Sequence, residues 1–237
     1  ACRPLIRSAQ QRLQPTTAPH WPAVKPHPLA ERTRSNHGNM GTSFVSMPAV
    51  TSNSTNSPIP ARLQALRQHA AQQGWQAVLI PSSDPHLSEY LPAHWQGREW
   101  FSGFTGSSGT LLVADQCAAV FTDSRYWEQA EAELAGTGVD LVKLDGPAIP
   151  AYVAWLQGVT ASGKLAVDGT VMGLAQAKQL QEALAPANWT LQADTDPLLG
   201  AWPDRTGLPQ APVFEHALPF ASTPRADKLA ALRQAMR

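Results

Sequence analysis

The chain has 237 residues, of which 43% are apolar and 15% are charged, and its formal net charge is zero. This balance is typical of a globular domain with a substantial core. A net charge of zero gives no electrostatic reason to expect nucleic acid or an anionic membrane surface as a partner. No apolar run approaches the ~20 residues that a membrane-spanning helix needs. We therefore expect no nucleic-acid partner and no membrane insertion.

The zero net charge conceals two different segments. Residues 1–58 contain six Lys or Arg and one acid, whereas the remainder contains twelve Lys or Arg and seventeen acids. There are two cysteines, Cys2 and Cys117, which do not provide a disulfide framework or a four-ligand zinc site. We expect Cys117 to be a small buried residue in a reducing compartment. Because residues 1–20 also lack the apolar stretch of a secretory signal, the sequence predicts a cytoplasmic protein.

Residues 1–57 form an N-terminal extension that is rich in Pro, Ser, Thr, Asn, Arg and Gln and has no sustained periodicity. Such a composition predicts disorder, since it cannot bury enough apolar surface to offset the entropy of ordering the chain. Three interpretations remain open. The extension is upstream translated or disordered sequence, with Met40 or Met47 as the true start; it is an organelle transit peptide; or it is a basic interaction tail.

Regular structure is predicted from Ile59 onward. Pro60 at a first helical position, an apolar face at Leu63, Leu66 and Ala70, and Gly74 after the last turn predict a short helix. Residues 75–80 are a compact apolar run typical of a buried strand. Residues 81–97 are predicted to be mostly loop. Residues 111–113 and 118–121, with Asp115 and Gln116 between them, predict a hairpin.

The next elements alternate between helix and strand. A helix is predicted from Arg125 to Leu134, where Tyr126, Ala130 and Leu134 recur at four-residue spacing. The following predicted elements are strand 139–144, helix 150–156, strand 164–167, helix 174–184 and strand 189–191. This alternation predicts an α/β fold, and the hairpin favours a mixed sheet with helices packed on it.

The C-terminal part predicts a domain boundary. Residues 58–202 would form the first domain, the proline-rich residues 203–224 a linker, and residues 225–237 the start of a truncated second domain. The helical spacing of Leu229, Leu232 and Met236 carries no stop signal after it. Together with a first residue that is not methionine, this pattern leads us to interpret the sequence as a fragment.

The glycine and serine run at residues 103–110 (GFTGSSGT) raises the question of phosphate binding. A phosphate-binding loop needs Lys followed by Ser or Thr after its last glycine and then a helix. Here the run leads through Thr110 and Leu111 into a predicted strand. We therefore favour a structural role, a glycine-dependent turn that enters an edge strand.

Catalytic and metal-binding patterns are weak. His86, Glu89, His94 and Glu99 lie close together in sequence, but in a predicted loop and without the spacing of known metal motifs. No Gly-x-Ser-x-Gly sequence is present to supply a nucleophile. We predict neither catalytic residues nor metal ligands in this chain.

Arg125 is the single candidate site residue. It follows a predicted strand and begins a predicted helix, at the rim of the sheet, where a guanidinium could bind a peptide carboxylate or carbonyl group. The alternative is a surface salt bridge with Asp123, which could also cap the helix. Residue chemistry by itself leaves both interpretations open.

Several motifs in a fixed order resemble the N-terminal domain shared by Xaa-Pro aminopeptidases and creatinases, in particular the long, three-domain Xaa-Pro aminopeptidases. The matching segments are RLQALR (62–67), IPSSDPHLSEY (80–90), REWFSGFTGSSGTLLV (98–113), AAVFTDSRYWEQA (118–130), VDGTVM (167–172), DPLLGAWPDR (196–205) and KLAALRQAM (228–236). The combination is more specific than any single glycine run.

This resemblance carries expectations about fold and activity. It implies a ribonuclease H-like α/β domain, preceded here by the extension. The family hydrolyses the bond after the N-terminal residue when proline is second. It uses two Mn²⁺ ions in a C-terminal domain that is absent here, so this fragment should bind no cofactor and be inactive alone. The resemblance also implies a Pro-containing peptide as substrate and assembly as a homo-oligomer, with a homodimer as the expected form.

One residue role is implied by the resemblance. In the family's Thr-Asp-x-Arg-Tyr element the arginine contributes to binding the peptide substrate, and that position is Arg125 here. Two other functions stay open: a stand-alone binding or regulatory module, and a sibling enzyme such as a creatinase or a prolidase.

Overall fold

The computed structural model describes residues 57–237, so the predictions for residues 1–56 lie outside the described part of the chain. A single six-stranded sheet with the order β4-β3-β2-β1-β5-β6 organises the fold. The strands are β1 Ala77–Pro81, β2 Thr110–Ala114, β3 Ala118–Asp123, β4 Asp140–Leu144, β5 Gly163–Ala166 and β6 Trp189–Gln192. The helices are α1 Ile59–Gln73, α2 Gly97–Ser102, α3 Trp127–Leu134, α4 Ala148–Val159, α5 Leu174–Leu184 and α6 Arg225–Ala235.

The sheet is mixed, as predicted. Strand β2 pairs antiparallel with both β1 and β3, whereas β3 with β4, β1 with β5, and β5 with β6 pair in parallel. Five strands therefore point the same way, and β2 runs against them. As a consequence, the carboxyl ends of β1, β3 and β4 and the beginning of β2 lie at one edge of the sheet, which we call the carboxyl edge.

Helices cover both faces of the sheet because side chains alternate between the faces along each strand. On one face, Val78 and Val120 pack with apolar residues of α1, α2 and α3. On the opposite face, Leu79 and Phe121 pack with residues of α4 and α5, including Leu156 and Leu180. The fold is thus a three-layer α/β sandwich.

Helix α1 shows why local sequence signals predict an element well where they are present. Pro60 lies in the first turn, Leu63 and Leu66 are almost fully buried, and Gly74 adopts a left-handed φ of 71° after the last turn. A residue with a side chain would be strained in that backbone conformation, so Gly74 ends the helix there. Helix α5 begins and ends where its periodicity predicted.

Three local predictions need correction. Residues 97–102 form the short helix α2 where we predicted no helix, because six residues are too few to show a helical period. The predicted helix at Arg125 begins instead with a 3-10 turn, and α3 starts at Trp127. The glycine run does not enter an edge strand, since β2 lies between β1 and β3.

The described C-terminal residues leave the sheet. Residues 203–224 contain no helix or strand and are largely exposed. Helix α6 follows, and Leu229, Leu232 and Met236 are 41%, 57% and 77% exposed. The division into domains at residues 58–202, 203–224 and 225–237 remains a prediction.

Candidate functional site at the carboxyl edge of the sheet

Arg125 lies at the carboxyl edge, directly after β3. Its Nε donates a hydrogen bond to Oδ1 of Asp123 and its Nη2 donates one to Oδ2, both at 2.8 Å. The Asp123 carboxylate also accepts the backbone N–H of Arg125 at 3.1 Å and caps the 3-10 turn. Both local roles that the sequence suggested for Asp123, ion pair and cap, are therefore present.

The pair remains accessible to solvent. The side chain of Arg125 is 68% exposed and that of Asp123 is 37% exposed. The hydrogen bonds from Arg125 lower the pKa of the Asp123 carboxyl to about 2, and in return the carboxylate raises the pKa of the guanidinium. A guanidinium has five N–H donors, and two of them are used here. The remaining donors of Arg125 can bind an acceptor at the edge of the sheet.

Tyr126 links this turn to the glycine run. Its ring meets Phe104 edge to face, with the centroids 6.2 Å apart, and its hydroxyl lies 2.6 Å from Oγ of Ser107. The guanidinium carbon of Arg125 lies 5.2 Å from the centroid of the same ring. The Arg125 side chain is therefore held on one side by Asp123 and faces an aromatic ring that is itself fixed by packing.

A buried arginine that sequence patterns did not single out holds the glycine run in place. Arg98, on α2, is 6% exposed and donates hydrogen bonds to the carbonyl oxygens of Phe104, at 2.7 Å, and of Gly106. Its Nε donates to Oγ of Ser82 at 2.6 Å. Burial lowers the pKa of Arg98 to about 10, so it stays charged at neutral pH. The signal in the sequence was an arginine beside an aromatic pair, which does not distinguish a buried cation from an exposed one.

The glycine run also has a steric requirement at Gly106. A Cβ atom there would overlap Cζ of Phe104 and would come within 2.8 Å of Tyr126 Cδ1. The absence of a side chain allows Phe104 and Tyr126 to meet beneath the turn. These contacts support the structural role that we predicted for residues 103–110.

A cleft of about 300 Å³ opens beside Asp123 at the carboxyl edge. We call it the hydroxyl groove. The hydroxyl-bearing side chains that line it come from the ends of β1, β2 and β3 and from α4: Ser82, Ser83, Ser107, Ser108, Thr110, Thr122 and Tyr152. In open α/β sheets, ligands bind outside the carboxyl ends of the strands. The groove lies in this position.

The other candidates from the sequence do not form a site. Nδ1 of His94 lies 2.7 Å from the carbonyl oxygen of Thr206, and Glu99 lies on α2. Among residues 57–237, no group of three or more His, Cys, Asp or Glu side chains could hold a metal ion. Cys117 is 7% exposed, as expected for a small core residue.

Comparison with known proteins identifies the fold and the family. The sequence model of the Creatinase/Prolidase N-terminal domain matches residues 62–198, more than half of the chain. The chain belongs to this family. Its mixed sheet and flanking helices are those of a creatinase/prolidase N-terminal domain, which confirms both the resemblance and the predicted fold class.

Individual relatives are peptidases. The chain is 34% identical over 178 residues to Xaa-Pro aminopeptidase 2 of Rattus norvegicus, covering 74% of this chain and 26% of that protein. It is 32% identical over 201 residues to Xaa-Pro aminopeptidase 2 of Homo sapiens, covering 84% of this chain and 29% of that protein. The chain thus spans less than a third of these relatives.

A solved structure of a peptidase matches this fold. An X-prolyl aminopeptidase from Caenorhabditis elegans, described as a cytosolic enzyme with a di-nuclear active site, superposes with a TM-score of 0.63 at 25% identity. The match covers 76% of this chain and 31% of the nematode protein. Within residues 57–237, no helix is both long enough and apolar enough to cross a membrane.

Proposed function

We propose that this chain is the N-terminal, substrate-binding part of an Xaa-Pro aminopeptidase. In this proposal the whole enzyme hydrolyses the peptide bond after the N-terminal residue of peptides with proline in second position. The observation that carries the proposal is the placement of Arg125, an exposed, pre-oriented guanidinium at the carboxyl edge of a domain whose relatives are Xaa-Pro aminopeptidases.

The proposed chemistry at Arg125 is peptide binding. Its N–H groups that are not bonded to Asp123 would donate a charge-assisted hydrogen bond to a carbonyl or carboxylate oxygen of the substrate. Because Asp123 already holds the guanidinium, less side-chain entropy is lost when the peptide binds. Arg125 therefore orients the substrate and takes no part in breaking a bond.

The bond-breaking step is assigned to other residues of the whole enzyme. We propose that the complete protein uses two Mn²⁺ ions, which would supply the hydrolytic chemistry when bound. The described residues do not fit such a site, since no three potential ligands converge among them. In this proposal the described residues take no part in the metal-dependent step.

The proposal extends to assembly and location. We propose that the complete protein is a homo-oligomer, as expected from its resemblance to the family. A cytoplasmic location is supported by the description of the nematode relative as cytosolic.

A peptidase assay tests the proposal. The 237-residue chain with added Mn²⁺ should leave Arg-Pro-Pro intact, whereas the complete gene product should release arginine from it and should spare Arg-Ala-Ala. Release of arginine by the 237-residue chain alone would contradict the proposal that cleavage needs residues outside this chain. A complete gene product that does not cleave Arg-Pro-Pro would contradict the proposed Xaa-Pro aminopeptidase activity.

A further inference from the structure

A cavity of about 460 Å³ lies at the edge of the sheet opposite the carboxyl edge. Its lining comes from the end of α1, the beginning of β1, the end of β2, the turn between β2 and β3, and the end of α4. These segments meet because β1 begins beside the end of β2, where Ala77 pairs with Ala114. The volume falls within the ~300–1,000 Å³ of small-molecule sites. We call it the amino-edge cavity.

One wall of the amino-edge cavity is apolar and is part of the core. Leu66, Val78 and Val113 line it and are almost fully buried. Trp75 lines it as well, is 9% exposed, and meets the ring of His69 edge to face with the centroids 5.8 Å apart. Since these side chains are fixed by packing, the wall is preformed. It suits a large apolar side chain, including an aromatic ring.

Arg67 brings a positive charge to the same cavity. Its side chain is half-buried, and its Nε donates a hydrogen bond of 2.9 Å to the carbonyl oxygen of Ala114. A guanidinium has five N–H donors, so this bond orients Arg67 and uses one of them. Among residues 57–237, no carboxylate oxygen lies within 4.0 Å of its nitrogen atoms. Arg67 is therefore a pre-oriented cation that can bind a carboxylate with two hydrogen bonds.

Asp115 brings a negative charge to the cavity from the turn between β2 and β3. It is exposed, and its Oδ2 accepts a hydrogen bond of 2.7 Å from Nε2 of Gln116. Gly74, at the end of α1, also lines the cavity, and the last carbonyl groups of a helix carry a partial negative charge. This part of the cavity therefore favours an ammonium group.

The two charges determine the class of ligand. Arg67 and Asp115 line one cavity but lie more than 4.0 Å apart, so neither is paired with the other. A simple anion would be repelled by Asp115, and a simple cation would be repelled by Arg67. A free amino acid carries a carboxylate and an ammonium group on one carbon atom and can satisfy both residues. Its side chain would then face the apolar wall.

We propose that the amino-edge cavity binds a free amino acid with a large apolar side chain. The carboxylate binds Arg67, the ammonium group faces Asp115, and the side chain packs against Trp75. Because Arg125 lies at the opposite edge of the sheet, this site is independent of the proposed function.

Two alanines of α1 provide a test with a matched control. Both are exposed, but Ala71 lines the amino-edge cavity and Ala61 does not. Ala71→Trp should fill the cavity, whereas Ala61→Trp should leave it open. Two further variants remove one charge each: Arg67→Met, and Asp115→Asn, which keeps the shape of the side chain.

The experiment is a titration of the ¹⁵N-labelled 237-residue chain with L-phenylalanine, followed by backbone amide shifts. Millimolar L-phenylalanine should shift the amides of residues 74–78 and 113–116 and leave those of residues 122–125 in place. The dissociation constant should rise about tenfold in Arg67→Met and about threefold in Asp115→Asn, since Asp115 is the more exposed. Binding should be lost in Ala71→Trp and unchanged in Ala61→Trp.

Two analogues test the need for both charges. 3-Phenylpropionate lacks the ammonium group and L-phenylalaninamide lacks the carboxylate, so both should bind more weakly than L-phenylalanine, by about threefold or more. An absence of shifts at the amino edge would overturn the inference, as would undiminished binding in an Ala71→Trp variant whose amide spectrum shows that it is folded. An analogue that binds as tightly as L-phenylalanine would contradict recognition of both charges.

Discussion

The carboxylate of Asp123 and the guanidinium of Arg125 form a two-point contact in which both N···O distances are 2.8 Å. The residues are two positions apart, so the contact is made within one turn of chain and is set by the cap of the 3-10 turn. It fixes the direction in which Arg125 leaves the sheet. The predictions about substrate binding depend on this relationship.

Substitution of Arg125 should impair the complete enzyme and leave the domain stable. We expect Arg125→Ala to weaken substrate binding by about 1–3 kcal/mol, the range for a charge-assisted hydrogen bond. This loss should be seen mainly as a higher KM for Arg-Pro-Pro. Arg125→Lys should recover part of the loss, because lysine retains the charge without the fork of donors. Steady-state kinetics measure both effects.

Arg225 provides the control for Arg125. It is also exposed and also lies near a carboxylate, with 3.4 Å between its Nε and Oε1 of Glu215, but it belongs to α6. Arg225→Ala should leave KM and kcat unchanged. An unchanged KM and kcat in Arg125→Ala would instead reduce the Asp123–Arg125 pair to a surface salt bridge.

The ionisation of Asp123 offers a second test. The hydrogen bonds from Arg125 lower its pKa to about 2 from an ordinary value of 3.8. A lowered folded-state pKa means that the contribution of the pair to stability is present above the ordinary value and is lost as the pH falls toward 2. Carbonyl NMR of the Asp123 side chain should therefore show titration near 2 in the wild type.

In Arg125→Gln, the same carboxyl should titrate close to 3.8, because the guanidinium that favours its ionised form is gone. If the wild-type carboxyl titrates at its ordinary value, the two-point contact does not persist in solution.

Arg98 should be the most sensitive polar residue of the site. Arg98→Met would leave the carbonyl oxygens of Phe104 and Gly106 without their donor in a buried loop. We expect a loss of ~2–4 kcal/mol in the free energy of unfolding, measured by urea denaturation. Arg67→Met removes one half-exposed bond to the carbonyl oxygen of Ala114 and should cost ~1 kcal/mol or less. Equal losses in the two variants would contradict the role of Arg98.

Two glycine-to-alanine substitutions should change the free energy of unfolding in opposite directions. Gly106→Ala would force Phe104 and Tyr126 apart and should cost ~1–3 kcal/mol. Gly158 lies within α4, where an added Cβ atom would meet no other atom within 4 Å, so Gly158→Ala should stabilise by ~0.5–1 kcal/mol. Urea denaturation of both variants measures the difference, and a stabilising Gly106→Ala would contradict the packing beneath the turn.

The sequence predicted the parts of the fold whose signals are local. Helix α1 has a proline in its first turn, a periodic face and a terminal glycine, and the hairpin β2–β3 has two apolar runs with a turn between them. Helix α2 has only six residues and was missed. The edge position of β2 was predicted wrongly because its pairing with β1 joins segments far apart in the chain, which no local pattern reveals.

In the candidate site, too, contacts between neighbouring residues could be predicted from the sequence and contacts between distant segments could not. Asp123 and Arg125 lie within one turn of chain, so their pairing was visible in the sequence. Arg98 bonds to the glycine run only because α2 packs beside β1, and the hydroxyl groove joins the ends of four strands with helices α4 and α5. Such arrangements depend on the order of strands in the sheet, which periodicity does not supply.

The coding sequence beyond Arg237 tests the proposed function most directly. We predict an open reading frame that continues into a domain carrying the ligands for the two Mn²⁺ ions proposed above. A stop codon directly after Arg237 would contradict the proposal, and would mean that this domain acts by binding alone.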